Sequence, residues 1–387
     1  MAKVKKNKFF LCLICVALLI SNTLCIALHN QIFAESTQGY LIQSSAKAMC
    51  VLEQHSHRVL FGKNIDLKLP MASTTKIFTA LTVLENCENL EEIVQVDDRA
   101  VGIEGTSIYL RKGETLTVKE LLLGMMLPSG NDAAAALAYY IGGDIPTFCN
   151  MMQKTAVKAG AKSSCFKNPH GLDANGHYTT AYDLALVAAK ALENPVFYEI
   201  STTKSAVISG NNEVKCRYLK NKNKLLKTFE GCNGVKTGFT DAAGRCFVSS
   251  AKQEGMTVIT SVLNCPDMFE ECARLMTKAY NTYSLCEIVN NYSVLPDIQV
   301  EKGRSESVKL FSRQSFSYPL TNQEKLKVNI VYDLPKNLIA PVKKEEVVGK
   351  IMVYLDDQEI FKDQILTREE VKKDSIFEYV KDVLGSW

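Results

Sequence analysis

Apolar residues recur with a helical period in the first two thirds of the chain and with shorter, alternating patterns after it. Ile77, Leu81 and Leu84 stand at i, i+4 and i+7 and predict a helix that begins near Ser73. Thr117-Val118-Lys119-Glu120 has the form of a capping box and opens a second helix through Leu121 to Met126. Pro128-Ser129-Gly130 breaks it, and an alanine-rich helix follows from Asn131 to Tyr140. Small side chains on all faces suit close packing at the centre of a domain. Thr180 and Asp183 mark another helix start, running through Leu184 to Leu192. Ahead of these, residues 49–60 read as one strand followed by a turn at Gly62-Lys63-Asn64.

Past Gly231 the pattern changes to three short apolar runs, 235–240, 245–252 and 256–263. Asp241-Ala242-Ala243-Gly244 and Gln253-Glu254-Gly255 separate them as turns, which predicts an antiparallel meander. Helices flanking such a sheet give an α/β (α+β) catalytic domain, placed over residues 35–286. Alternating segments such as Lys327-Val328-Asn329-Ile330-Val331 and Lys350-Ile351-Met352-Val353-Tyr354 predict a small β-rich domain over 287–366.

The two ends stand apart. Lys3, Lys5, Lys6 and Lys8 precede an unbroken apolar run over 9–20, and no acidic residue occurs before Glu35. This is the pattern of a signal peptide, placed over 1–34, so the body of the chain is expected to be exported. At the other end, Ile376, Phe377, Val380, Val383 and Leu384 share one helical face. With Lys372, Lys373, Lys381 and the terminal Trp387 they make residues 367–387 a candidate amphipathic membrane anchor.

Composition excludes more than it selects. The 387 residues are 47% apolar and 22% charged, with a net charge of +3, too small to suggest a nucleic-acid partner. Of the 13 cysteines, those beyond the leader show no C-x-x-C pair or zinc spacing and mostly sit in apolar segments, as in Arg245-Cys246-Phe247-Val248. They read as small buried hydrophobes rather than a disulfide framework. His29, His55, His57, His170 and His177 have no metal-binding spacing, and no metal or cofactor is expected. His55-Ser56-His57 suits a solvated hairpin; His170 and His177 flank a glycine-bearing loop and read as structural.

Three short motifs carry the chemistry: Ser73-Thr74-Thr75-Lys76, Ser129-Gly130-Asn131 and Lys236-Thr237-Gly238. A serine hydroxyl needs a base to become a nucleophile. Lys76, three residues on at a helix start, lies on the same face as Ser73. Lysine serves as a base only when neutral, which burial or a neighbouring cation such as Lys236 brings about. The backbone N–H of Ser73 at the helix start also suits a developing oxyanion. Singly each motif is weak. Ser73 alone reads equally as an N-cap, Ser129-Gly130-Asn131 as a C-cap glycine followed by an N-cap, and Lys236 as an edge-strand lysine.

Order and context narrow the reading. Leu69-Pro70-Met71-Ala72-Ser73-Thr74-Thr75-Lys76, Pro128-Ser129-Gly130-Asn131-Asp132-Ala133-Ala134, Asn168-Pro169-His170-Gly171-Leu172-Asp173 and Val235-Lys236-Thr237-Gly238-Phe239-Thr240 resemble the low-molecular-mass penicillin-binding proteins. These are the serine D-alanyl-D-alanine carboxypeptidases that include the sporulation and vegetative enzymes of Gram-positive bacteria. The resemblance implies a penicillin-binding/β-lactamase-like transpeptidase fold. It also implies removal of the terminal D-alanine from peptidoglycan stem peptides at the outer face of the cytoplasmic membrane, with β-lactams as covalent inhibitors. Carried across, it makes Ser73 the acylated residue, Lys76 its base and Ser129 a proton relay to the leaving group. Asn131 would bond the substrate peptide, Lys236 and Thr237 its carboxylate, and Gly238 would lie on the substrate-binding strand. The N–H groups of Ser73 and Phe239 would form the oxyanion hole. Phe239 stands where some relatives carry histidine. Asp267, Glu270 and Glu271 stand where some carry an arginine for the carboxylate, which leaves Arg245 as a candidate substitute. The alternatives are a β-lactamase, which lacks here a Glu-x-x-Leu-Asn segment between Ser129 and Lys236, and a β-lactam sensor or wall-binding protein without turnover.

Overall fold

The structure, a computed structural model, describes residues 42–210, 216–291 and 295–374. The leader and the apolar face of the tail lie outside the described residues. Among the described residues no helix is long and apolar enough to cross a membrane. Contacts divide the chain into two units that part between Ala279 and Tyr280, with Glu254–Met256 assigned to the second.

The first unit is built on a five-stranded sheet. Strands β1 (Ala48–Glu53) and β2 (Val59–Lys63) form an antiparallel hairpin. The single strand expected over 49–60 is therefore two strands, and the turn sits at residues 54–57 rather than at Gly62-Lys63-Asn64. Its cause is Glu53: one carboxylate oxygen accepts from the N–H of His55, the N–H of Ser56 and the Ser56 hydroxyl, which closes the chain back on itself. His55-Ser56-His57 thus lies on a hairpin. The meander is observed as β7 (Cys232–Thr240), β8 (Gly244–Gln253) and β9 (Met256–Leu263), and the sheet order is β2-β1-β9-β8-β7.

Between β2 and β7 come the helices. A 3-10 turn, Ala72–Thr74, leads into α1 (Thr75–Asn86). A two-stranded ribbon, β3 (Ile93–Gln95) with β4 (Thr115–Thr117), precedes α2 (Val118–Met126). Thr117 and Glu120 cap α2 reciprocally, as the sequence pattern requires. The alanine-rich α3 (Asn131–Gly142) packs against α1, α2 and α4 (Ile145–Lys158). Ala133 to Ala138 are at most 1% exposed, so its small side chains admit neighbours from several sides at once. Helix α5 (Ala181–Leu192) starts at Thr180, whose hydroxyl accepts from the Asp183 N–H, and packs on β1. Helix α6 (Pro195–Thr202) and the hairpin β5 (Ser205–Ser209) with β6 (Cys216–Lys220) complete the path to α7 (Leu225–Thr228) and β7, and α8 (Met268–Thr282) follows β9.

Beyond the end of α8, the described residues of the second unit form β-strands and one short 3-10 turn. Its first strand, β10 (Ser284–Val289), pairs with a strand at Phe316–Leu320, which is why this unit begins ahead of the 286/287 boundary read from composition. A four-stranded sheet and a three-stranded one enclose a core that includes Val308, Leu310, Ile351, Val353 and Ile365. All ten cysteines of the described residues are free. Cys50, Cys149, Cys246, Cys265 and Cys272 are buried and the rest are half-buried.

Candidate active site

The three motifs meet where the 3-10 turn, the α2–α3 break and strand β7 converge. The turn is held in an unusual conformation. Ala72, just before Ser73, has φ +48, a left-handed value disfavoured for residues with a side chain. Its carbonyl accepts from Thr75 Oγ1 at 2.8 Å. The His177 ring lies beneath: Nδ1 accepts from the Lys167 N–H at 3.0 Å, so the proton sits on Nε2, which donates to Thr75 Oγ1 at 2.9 Å. Burial holds the His177 pKa down to about 4, so the ring is neutral at physiological pH. Gly171, with φ +92, closes over the same carbonyl; a methyl group there would lie 1.9 Å from Ala72 O. Strain at Ala72 is thus fixed from several directions.

Lys76 is fully buried. Its Nζ lies 2.7 Å from Asn131 Oδ1, 2.7 Å from the carbonyl oxygen of His170 and 3.0 Å from Ser73 Oγ. Asn131 Nδ2 donates to Glu104 O at 2.6 Å, which fixes the amide with its oxygen toward Lys76. Two of the three neighbours therefore only accept. A neutral amine satisfies both with its two hydrogens and turns its lone pair to the Ser73 hydroxyl. Burial, then the charges of Lys236 and Lys222, holds the Lys76 pKa well below the usual lysine range, while Asp132 acts in the opposite sense. Lys236 is itself buried, and burial followed by Lys222 lowers it to about 7.

Ser129 has φ +77, and its buried Oγ has no hydrogen-bond partner among the described residues. Ser129, Ser73, Thr237 and Gly238 line one cavity of about 320 Å³. Gly238 is required by contact: a Cβ there would lie 2.9 Å from the Ser73 nitrogen and 3.0 Å from the Thr74 nitrogen, so only glycine lets β7 lie against the nucleophile turn. The Phe239 side chain is 61% exposed and lines the same cavity. Lys236 Nζ donates to the Thr237 carbonyl at 2.9 Å.

All eight residues singled out in the sequence are thus in or around one cleft. Arg245 is exposed on β8 and does not line it. Several participants had no sequence signal: the His170 carbonyl, the Thr75–His177 support, and Thr106, Lys222, Met268 and Phe269 on the cavity wall. Asp132 was visible only as part of a motif. Its carboxylate accepts from Ser107 Oγ and from the N–H groups of Ile108 and Leu110, which fixes the loop facing Ser129.

A family model described as D-alanyl-D-alanine carboxypeptidase, Peptidase S11, matches residues 33–267. The chain belongs to this family. A second model, the penicillin-binding protein 5 C-terminal domain, matches residues 283–373. D-alanyl-D-alanine carboxypeptidase DacF of Bacillus subtilis (strain 168) is 30% identical over 350 residues, covering 88% of this chain and 90% of the relative. DacC of Escherichia coli (strain K12) is 31% identical over 365 residues, 88% of this chain and 90% of the relative. Among solved structures, penicillin binding protein 5 from Haemophilus influenzae superposes with a TM-score of 0.72 at 26% identity, covering 86% of this chain and 99% of that one. A mutant of Streptomyces K15 DD-transpeptidase gives 0.59 at 30% identity, covering 62% of this chain and 100% of that one. The family thus supports both the serine-enzyme fold and the β-rich second unit.

The contact at Gly238 gives a sharp expectation. Gly238→Ala should leave the protein folded but slow covalent labelling by a fluorescent penicillin on the order of 100-fold, because the added methyl displaces the Ser73 turn from β7. Stopped-flow labelling, with circular dichroism as the folding control, measures it; wild-type labelling would show that the turn accommodates the methyl group without cost.

Proposed function

We propose that the protein is a serine D-alanyl-D-alanine carboxypeptidase acting through Ser73, with the motif residues in the following roles. The observation that carries this reading is the Lys76 amine, buried between two fixed acceptors with its Nζ 3.0 Å from Ser73 Oγ. Ser73 Oγ attacks the carbonyl carbon between the last two D-alanines while its proton passes to Lys76 Nζ. The carbonyl oxygen takes up negative charge facing the N–H groups of Ser73 and Phe239. As the C–N bond breaks, the proton passes from Lys76 by way of Ser129 Oγ to the amine of the departing D-alanine. Water then attacks the ester and frees the shortened stem peptide and Ser73. Lys236 and Thr237 bind the terminal carboxylate. Asn131 has both amide atoms engaged in the resting site, so its first task is to hold Lys76; it bonds the substrate peptide when that contact rearranges.

As a member of this family the protein acts on peptidoglycan stem peptides and is acylated by β-lactams, which present a strained amide to the same serine. We propose in addition that residues 1–34 direct export and that the tail rests on the outer face of the cytoplasmic membrane. Support for both comes from the sequence alone: the basic, apolar leader and the apolar face flanked by lysines. A β-lactamase or a sensor without turnover would acylate at the same site, and release of D-alanine separates them from a carboxypeptidase.

Ser73→Ala should abolish both D-alanine release from a D-Ala-D-Ala peptide and penicillin labelling while the circular dichroism spectrum is retained; persistent labelling would remove Ser73 from the mechanism. Lys76→Arg keeps a cation that does not deprotonate in this range, so acylation should fail at every pH tested. In the wild type, the lowered Lys76 pKa keeps the amine neutral to a lower pH than an ordinary lysine, and protonation as pH falls further removes the base, so acylation should decline on the acid side. Near-normal acylation by Lys76→Arg would mean that the lysine supplies only charge. For the tail, deleting residues 375–387 should end co-flotation with anionic vesicles and leave hydrolysis of a small soluble peptide unchanged; equal partitioning of the two proteins would exclude the anchor.

A further inference from the structure

The four-stranded sheet of the second unit ends in an edge that no other strand covers among the described residues. This edge is the strand Val328–Asp333, which pairs antiparallel with Val347–Leu355 on one side only. A free edge presents a row of N–H and C=O groups to any extended chain, and proteins commonly protect such edges with proline, lysine, a bulge or a very short strand. The opposite edge of the same sheet is protected by its length, since Leu310–Ser312 has three residues. Val328-Asn329-Ile330-Val331-Tyr332-Asp333 has none of these devices. It is six residues long, holds no proline or lysine, and pairs with its neighbour without a register shift. It also meets solvent with apolar side chains: Val331 is 38% and Tyr332 39% exposed, and Leu326, just ahead of the strand, is 88% exposed.

The edge is complementary to itself. Only alternate residues of an edge strand turn their N–H and C=O groups outward, so in two copies joined antiparallel about a two-fold axis the axis passes through a residue that faces itself. With the axis at Ile330, Lys327 of each copy stands opposite Asp333 of the other, and Val328 stands opposite Tyr332. The neighbours inside each copy extend this match. Lys327 Nζ lies 3.1 Å from Asp356 Oδ1 in its own sheet, and Asp333 is paired in register with Lys350. Across the joined edges each charged row therefore runs Asp356, Lys327, Asp333, Lys350, alternating in sign throughout. The next row runs Leu355, Val328, Tyr332, Ile351 and is apolar apart from the tyrosine hydroxyl. With the axis moved to Val331, Asp333 would face Asn329 and Lys327 would face Pro335, so the charges select the register at Ile330.

We propose that the second unit is a homotypic docking module: two copies of this chain join edge to edge through Val328–Asp333, in the register centred on Ile330, and make one continuous eight-stranded sheet. Six residues a side bury less than the roughly 1,200–2,000 Å² of a standard interface, so the association is weak and depends on concentration. The inference stands apart from the carboxypeptidase reading, because no residue of the cleft takes part.

Sedimentation velocity of the full chain, kept soluble in mild detergent, tests the proposal. The wild type should shift from monomer to dimer as its concentration rises through roughly 10–500 μM, the range of a small interface. Asp333→Lys sets a lysine against Lys327, and Lys327→Glu sets a glutamate against Asp333, so each variant alone should dimerise about tenfold more weakly or worse. Lys327→Glu also gives up the exposed Asp356 pair, a surface contact of small worth to the fold. An equimolar mixture of the two variants brings opposite charges together in both rows and should recover the dimer. Val331→Lys, which places a charge on the bare edge, should weaken it as well, with circular dichroism as the folding control for every variant. A wild type that stays monomeric throughout would leave the edge to an extended segment of another protein and overturn the proposal. So would a dimer indifferent to Asp333→Lys and Val331→Lys, or charge variants that associate no better mixed than alone.

Discussion

A lysine ammonium placed among protein atoms without an anion is costly, and Lys76 occupies such a position at the centre of the first unit. The cost falls if the amine is neutral, and a neutral amine beside a serine is a base. Much of the unit can be understood as the means of holding that state. Helix α3 brings Asn131 and is built from alanines so that it can lie close to α1. The loop before α5 supplies the His170 carbonyl. Strand β7 brings a second lysine, whose charge opposes protonation of the first. Each contribution comes from a different part of the chain, so the base exists only in the folded protein.

The nucleophile depends on the same convergence. Ser73 sits in a tight turn whose preceding residue has a left-handed backbone, fixed by Thr75, His177 and the close approach of Gly171. On its other side Gly238 of β7 leaves no room for a side chain. The turn is thus packed between a loop and a sheet edge, and the serine is positioned by backbone contacts rather than by its own packing. This suits an enzyme whose serine must be free to form and break an ester.

The sequence revealed the parts whose chemistry lies in side chains at short spacing. Ser73 with Lys76, the Thr117–Glu120 capping box and the β7–β8–β9 meander were legible because local pattern and tertiary role agree there. The hairpin at β1–β2 was legible only in part: His55-Ser56-His57 suited a hairpin, yet residues 49–60 read as one strand, because the turn is made by the His55 and Ser56 N–H groups bound by Glu53 rather than by a glycine or proline signal. The His170 carbonyl was invisible for a similar reason, since every residue has one. Lys222 was hidden in a lysine-rich stretch, and only the fold distinguishes the lysine that faces the cleft from its neighbours. The boundary between the units moved because β10 pairs onward with a distant strand, a long-range choice that composition does not record.

The unpaired cysteines bear on how this protein exists outside the enzyme's chemistry. With ten thiols free in the described residues, the fold owes nothing to oxidative cross-links and is held by its cores. Burial pushes the Cys246 thiol up to about 12 and Cys272 well above the usual thiol range, so the reactive thiolate is scarce at these positions. The described fold is therefore complete without a disulfide, and at these buried positions a thiol serves as a small apolar filler rather than as a reactive group.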